Sequence, residues 1–177
     1  MRTPSITRFY QVQLGSEWAR FWVTDDGCLS IMSDFGNYGY WWGGPGCEFR
    51  AFLARERHGD TGYILGKLAG GKQHFYAEDT ERKIKRRILE WRREGALSKE
   101  KARKEWELVC LGIGDEHDAV RWYDRTELQD AYDLTSYGPP RQLVAFMDRL
   151  WPLFVDALRA ELAAESVTAL PPERGTP

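Results

Sequence analysis

Cysteine is scarce in this chain: three in 177 residues, Cys28, Cys47 and Cys110, odd in number and widely spaced. That spacing excludes a disulfide framework as the organising device and suits a reducing compartment. Neither sign of charge dominates, since 25 Lys+Arg face 27 Asp+Glu for a net charge of -2. Global polycation behaviour is therefore excluded, and any nucleic-acid binding must come from a local patch. Long apolar runs are lacking as well. The most apolar late stretch, Leu143 to Leu162, carries Asp148, Arg149, Asp156, Arg159 and Glu161, too many charges for a bilayer span. Met1-Arg2-Thr3-Pro4-Ser5 leads into no apolar segment of a secretory signal, so a soluble cytoplasmic protein is expected. The chain also lacks a P-loop and the GxGxxG, HExxH, GxSxG and CxxC patterns, which removes the common enzyme classes.

What is present is aromatic. Eight each of Trp, Tyr and Phe, with 29% charged residues, place the chain among folded globular proteins. Its length suits one domain, expected over residues 1–166, with a flexible tail at 167–177. The first part reads as strands. Ala19 to Thr24 is rich in β-formers and ends in Asp25-Asp26-Gly27, a hairpin signal of the type I′ kind. Cys28 to Ser33 alternates, with Leu29 and Ile31 on one face. A second turn at Asp34-Phe35-Gly36-Asn37 precedes a strand from Tyr38 to Trp42, and Phe9 to Leu14 adds one at an edge. Gly43-Gly44-Pro45-Gly46 then closes a β-meander of three to four strands at about 9–43.

From about residue 47 to 165 the period is helical. Cys47 to Arg57 and Thr61 to Leu68 are short helices, the second stopped by Gly70-Gly71. Asp79 is the expected N-cap of a helix over Thr80 to Glu94, with Ile84, Ile88 and Trp91 facing inward. Ser98 caps the next, with Ala102, Trp106 and Val109 inward. Thr126 to Gln129 resembles a capping box opening a helix near Tyr132. Pro139-Pro140 opens the longest periodic run, Leu143, Phe146, Met147, Leu150, Phe154, Leu158 and Leu162. Pro152 predicts a kink or break in it at Trp151. Strands first and helices after give an α+β fold, an N-terminal antiparallel meander packed against several C-terminal helices.

Two features suggest a binding surface. From Arg82 to Lys104 there are eleven Lys/Arg against three Glu, while from Asp115 to Asp133 seven acids face two Arg. A basic helical hairpin of this kind can neutralise phosphates, with Lys83, Arg86, Arg87, Arg93, Lys101 and Lys104 as the residues that would do it. A solvated helix face, paired with the acidic segment of the same chain, accounts for the same pattern. The second feature is Tyr38, Tyr40, Trp41 and Trp42. Alternation sends Tyr38, Tyr40 and Trp42 to one face and Trp41, flanked by Gly39 and Gly43, to the other. Aromatics on a sheet can stack bases or anchor a protein interface, and Trp41 is the residue to watch. Candidates for chemistry are weak: Cys47 has His58 and His74 only downstream, and Asp115-Glu116-His117-Asp118 has no second cluster to complete a metal site. No catalytic residue, cofactor or metal is assigned.

The run from Asp26 to Gly43 (DGCLSIMSDFGNYGYWWG) resembles small proteins of temperate phages and prophages that share a DGxLxIxSD[YF]GNYxYxW stretch. A second element, Tyr63-Ile64-Leu65-Gly66-Lys67-Leu68, is similar to their YLLGKL-like segment. The resemblance spans roughly residues 18–105. It implies a bacterial, cytoplasmic setting and carries no catalytic residues. Together these readings point to a non-enzymatic phage or prophage accessory protein. Its expected partner is a host or phage protein, in the sharpest form a component of anti-phage defence that it inhibits. DNA or RNA binding through 82–104 is the alternative.

Overall fold

The computed structural model describes residues 5–55 and 61–168 of the chain. In chain order these form strands β1 (Thr7–Leu14), β2 (Glu17–Thr24), β3 (Cys28–Ser33) and β4 (Gly36–Trp41), then helices α1 (Phe49–Arg55) and α2 (Thr61–Leu68). Strand β5 (His74–Phe75), helices α3 (Ala77–Arg93), α4 (Lys99–Cys110) and α5 (Glu116–Tyr123), a 3-10 turn at Ala131–Leu134 and strand β6 (Tyr137–Gly138) follow. Helices α6 (Arg141–Arg149) and α7 (Trp151–Thr168) end the described chain. The fold is α+β. The described residues gather into two compact units, one from the segments before Gln73 and after Gly138, the other from Gln73–Gly138. Among the described residues no helix is long and apolar enough to cross a membrane.

The first unit is the four-stranded antiparallel meander, ordered β1-β2-β3-β4, with α1, α2, α6 and α7. Alternation decides its faces, because successive side chains on a strand point to opposite sides. Val12, Ala19, Phe21, Val23, Leu29 and Ile31 are buried on the inner face beside Phe146, Leu150, Trp151, Phe154 and Leu158. Phe21 and Phe154 stack with ring centroids 3.9 Å apart and planes 4° from parallel. Pro152 breaks the long apolar run as its sequence predicts: α6 ends at Arg149, Leu150 caps it, and α7 starts at Trp151. A proline in the first turn of α7 loses no helical hydrogen bond. Helix α7 runs on through Val167 and Thr168, into the segment expected to be a tail, while residues 169–177 lie outside the described ones.

The β2–β3 turn differs in kind from the expected type I′. Val23 pairs with Leu29, so three residues, Asp25, Asp26 and Gly27, make the loop, and Gly27 alone of them has positive φ (+94°). The backbone N–H of Gly27 donates to the carbonyl of Thr24 at 3.2 Å, giving a turn followed by a glycine bulge. Helix α1 starts at Phe49 and leaves Cys47 before its first turn. The part of the expected helix over 56–57 lies outside the described residues.

The second unit has its own core: Ile84 and Ile88 of α3, Ala102 and Val109 of α4, Ala119 and Trp122 of α5, with Leu97, Ile113, Leu128 and Leu134. Helix α3 begins at Ala77 with Tyr76 at the N-cap, three residues ahead of the expected Thr80 start, so Asp79 sits within the first turn. Gly95, at φ +77°, follows its end. Ser98 caps α4 as expected, its hydroxyl accepting from the Lys101 N–H at 3.2 Å. The inward face of α4 is corrected, however. Glu105 is buried and Trp106 is exposed, because the Glu105 carboxylate accepts from the Thr126 hydroxyl at 2.6 Å and the Glu127 N–H at 2.9 Å. Those bonds also explain why Thr126 opens no α-helix. Its hydroxyl serves Glu105 and the N–H of Leu128, and Asp130 then enters the left-handed region (φ 53°), leaving only the 3-10 turn.

Candidate macromolecule-binding surfaces

The first candidate is the outer face of the meander. Register lines up Phe9, Trp22, Ser30 and Gly39 in one row across the four strands. The row on one side is Gln11, Arg20, Met32 and Asn37, and on the other Thr7 and Thr24, then Cys28 and Trp41. Phe9 (54% exposed), Met32 (45%) and Trp41 (57%) all face solvent. Large apolar side chains grouped on one exposed face mark interaction sites more often than scattered ones do. Phe9 and Trp22 pack together with centroids 5.6 Å apart, and the Arg20 guanidinium lies 5.3 Å from the Trp18 ring.

Trp41 is exposed and fixed at once. Its indole N–H donates to the carbonyl of Asp26 at 3.0 Å. The far edge of the ring lies against Gly43, where a Cβ would sit 3.1 Å from it. The same strand turns Tyr38, Tyr40 and Trp42 inward, so the predicted split of this aromatic run holds. Trp42 is 5% exposed and packs edge-on against Tyr40 at 4.7 Å. Sequence reading missed Phe9 and Trp22 as partners of this face. Their alternation was visible, but only the register places them in one row.

The second candidate is the basic hairpin of the other unit, where α3 and α4 carry the six predicted cations. Arg82, Arg86, Leu89 and Arg93 fall on the side of α3 opposite Ile84 and Ile88, and the Arg82 and Arg86 side chains are 69% and 68% exposed. Most of these charges have local partners. Arg82 meets Asp79 at 2.6 Å, Lys85 meets Glu81 at 2.5 Å, and Arg86 and Arg87 approach Glu90 at 3.9 and 3.8 Å. Arg87 also sits over the Trp91 ring at 5.5 Å. Lys83 is engaged otherwise: its ammonium donates to the Asp133 carbonyl at 2.6 Å, tying α3 to the end of the acidic segment. Lys101 pairs with Glu127 at 3.4 Å. Among the described residues Arg93 and Lys104 have no ion-pair partner. The hairpin is thus partly a solvated, internally paired face and partly an outward row of arginine.

Hydrogen bonds shift several groups in this unit. The Glu81 carboxylate raises the Lys85 ammonium above its ordinary value, and Glu107 does the same for Arg103. The Gly114 N–H, followed by Arg121, lowers Asp118. Asp115 caps α5 by accepting from the Asp118 N–H at 2.9 Å. Among the described residues no group of three or more His, Cys, Asp and Glu is placed to hold a metal ion. The Cys47 thiol has the Pro45 carbonyl at 3.8 Å, and His58 lies outside the described residues.

A model of a phage protein family matches residues 1–160. The chain belongs to that phage family. No curated protein and no solved structure matches it. The match covers the C-terminal third as well, through α6 and the first part of α7.

Proposed function

We propose that this phage-family protein acts by binding a host or phage macromolecule, as an accessory protein without catalysis of its own. The outer sheet face carries the reading. A rigid, exposed Trp41 on the same sheet face as Phe9, Trp22 and Met32 gives that face the composition of an interface, in which a few aromatic anchors supply most of the binding energy. Fixing the ring in advance lowers the entropy lost on association. The test is capture of the tagged protein from a bacterial lysate, with and without nuclease, for wild type and Trp41→Ala. A macromolecule retained by wild type and lost from the variant supports the reading. Identical recoveries from both proteins would sink it.

The finer form of the proposal makes the partner a component of the host's anti-phage defence, and the phage origin of the family supports it. Cells with active defence systems that express the protein should then plate a restricted phage at least tenfold more efficiently. Unchanged plating across those systems would refute this form.

A second reading has its own observation. Arg82, Arg86 and Arg93 share one outward side of α3, and this arrangement favours direct DNA or RNA binding through phosphates. Each neutralised phosphate releases counterions, so such binding must weaken steeply with salt. Arg86→Glu with Arg93→Glu should abolish it and flatten the salt dependence. Affinity that survives both changes would leave the hairpin as a solvated face.

A further inference from the structure

We infer that the outer face of the β1–β4 meander is covered by a second copy of this chain, packed face to face about a two-fold axis. This rests on the reading that the sheet face is a binding surface, and it names the occupant. The first argument is the character of the face. Phe9, Met32 and Trp41 are exposed there among Gln11, Ser30 and Asn37, and Arg20 is the one charged residue at an outward strand position. Apolar patches with few charges are characteristic of interfaces between identical chains. A partner steered by charge selects a face with a field of one sign. Here the one cation is matched by the Asp26 carboxylate, which reaches the face from the β2–β3 turn by accepting from the outward Thr24 hydroxyl at 2.5 Å. The neighbouring turn carboxylates, Asp25 and Asp34, are taken by the backbone N–H groups of Ile6 and Trp18.

The second argument is where the two charges stand. On β2, Arg20 lies two residues to one side of Trp22, and Thr24, which holds Asp26, lies two residues to the other. Trp22 belongs to the row Phe9, Trp22, Ser30 and Gly39 that crosses all four strands. A two-fold axis along that row turns each strand end for end over its own counterpart. It therefore sets Arg20 of one copy over Thr24 and Asp26 of the other, and repeats the pair on the far side of the axis. Contact between identical faces requires this reciprocity, in which residue i meets j and j meets i. Among the described residues neither Arg20 nor Asp26 has an ion-pair partner in its own chain: Arg20 lies against the Trp18 ring, and Asp26 accepts only from hydroxyls of Ser5 and Thr24. The third argument is shape. Ser30 and Gly39 are small and lie on the axis, which lets two sheets approach to the usual spacing of about 10 Å.

The test is sedimentation equilibrium of the purified full chain from about 1 to about 200 μM, a range that spans micromolar association. Wild type should pass from one chain of 20.5 kDa to two as concentration rises. Arg20→Asp and Asp26→Arg should each raise the dissociation constant about tenfold or more, because each sets like charges opposite one another. Mixing the two variants should restore association, since every carboxylate then meets a guanidinium. Only a reciprocal contact between these two positions predicts that rescue. Ser30→Glu brings two carboxylates together on the axis and leaves the β2–β3 turn untouched, so it should weaken the dimer as well, with circular dichroism showing the sheet intact. Wild type that stays monomeric over the whole range overturns the inference. So does a dimer that Arg20→Asp and Ser30→Glu leave at wild-type strength, or a mixture no more associated than its components. A monomeric wild type whose nuclease-resistant partner is lost with Trp41→Ala overturns self-association and keeps the binding surface. Failure of both association and capture removes the surface reading too.

Discussion

Arg50 of α1 and Glu165 of α7 meet in a two-pronged ion pair, with both terminal guanidinium nitrogens on the two carboxylate oxygens at 2.8 and 2.7 Å. The Arg50 side chain is 7% exposed, and Glu161 approaches it at 3.1 Å and Glu48 through its Nε at 2.6 Å. Tyr10 of β1 donates its hydroxyl to Glu161, so strand and both helices converge on one cation. Three carboxylates around a single guanidinium make its removal costly, because they are left facing one another.

Arg50→Ala should therefore destabilise the first unit by about 2 kcal/mol, less than a fully buried pair because the carboxylates are partly exposed. Urea denaturation of the two proteins measures this. A change within a few tenths of a kcal/mol would mean that solvent already screens the cluster.

The same cluster fixes an acid limit. Hydrogen bonding from Arg50 lowers Glu165 below the ordinary glutamate value of 4.5. A carboxylate depressed in the folded state contributes stability above its unfolded value, and that contribution is lost as pH falls through the folded value. Stability should thus decline below about pH 4.5, and Glu165→Gln should be less stable at neutral pH with a shallower acid decline. Parallel pH–Tm curves for the two proteins would contradict the assignment.

Much of this architecture was legible in the sequence, for identifiable reasons. Leu29 and Ile31 alternate because one sheet face is buried, and the Pro152 break follows from a ring that cannot continue a helix. What escaped was decided by partners distant in the chain. The Thr126 hydroxyl is drawn to Glu105, 21 residues away, so a valid capping pattern yields no helix. Glu105 in turn is buried where Trp106 would have been the natural choice. Of the candidate site residues, Trp41 was readable from its two flanking glycines. Lys83 and Lys101 meet the Asp133 carbonyl and Glu127, both in the acidic segment that the solvated-face alternative paired with this hairpin, but which lysine takes which partner is set by a segment distant in the chain.

Phe154 tests the core of the first unit. It stacks on Phe21 and lies 5.4 Å from Tyr10 and 5.3 Å from Trp151, with no exposed surface. Phe154→Ala removes a ring that neighbours can only partly replace, for an expected cost of about 3–5 kcal/mol. Denaturant titration should show the loss, and a cost below 1 kcal/mol would mean that the ring is not packed as described.

Gly27 links the β2–β3 turn to the exposed indole. Its φ of +94° is a conformation that side chains rarely adopt, and a Cβ there would stand 2.2 Å from the Trp42 carbonyl oxygen. That carbonyl belongs to backbone, which cannot swing aside as a side chain would. The Trp42 N–H also donates to the Gly27 carbonyl at 2.8 Å, and the neighbouring Asp26 carbonyl holds Trp41. Gly27→Ala should cost more than 1 kcal/mol and loosen the Trp41 ring at the same time. Red-shifted emission with greater acrylamide quenching, measured against Trp41→Phe to isolate its signal, would register the second effect. Unchanged stability with unchanged quenching would show that the turn does not position the ring.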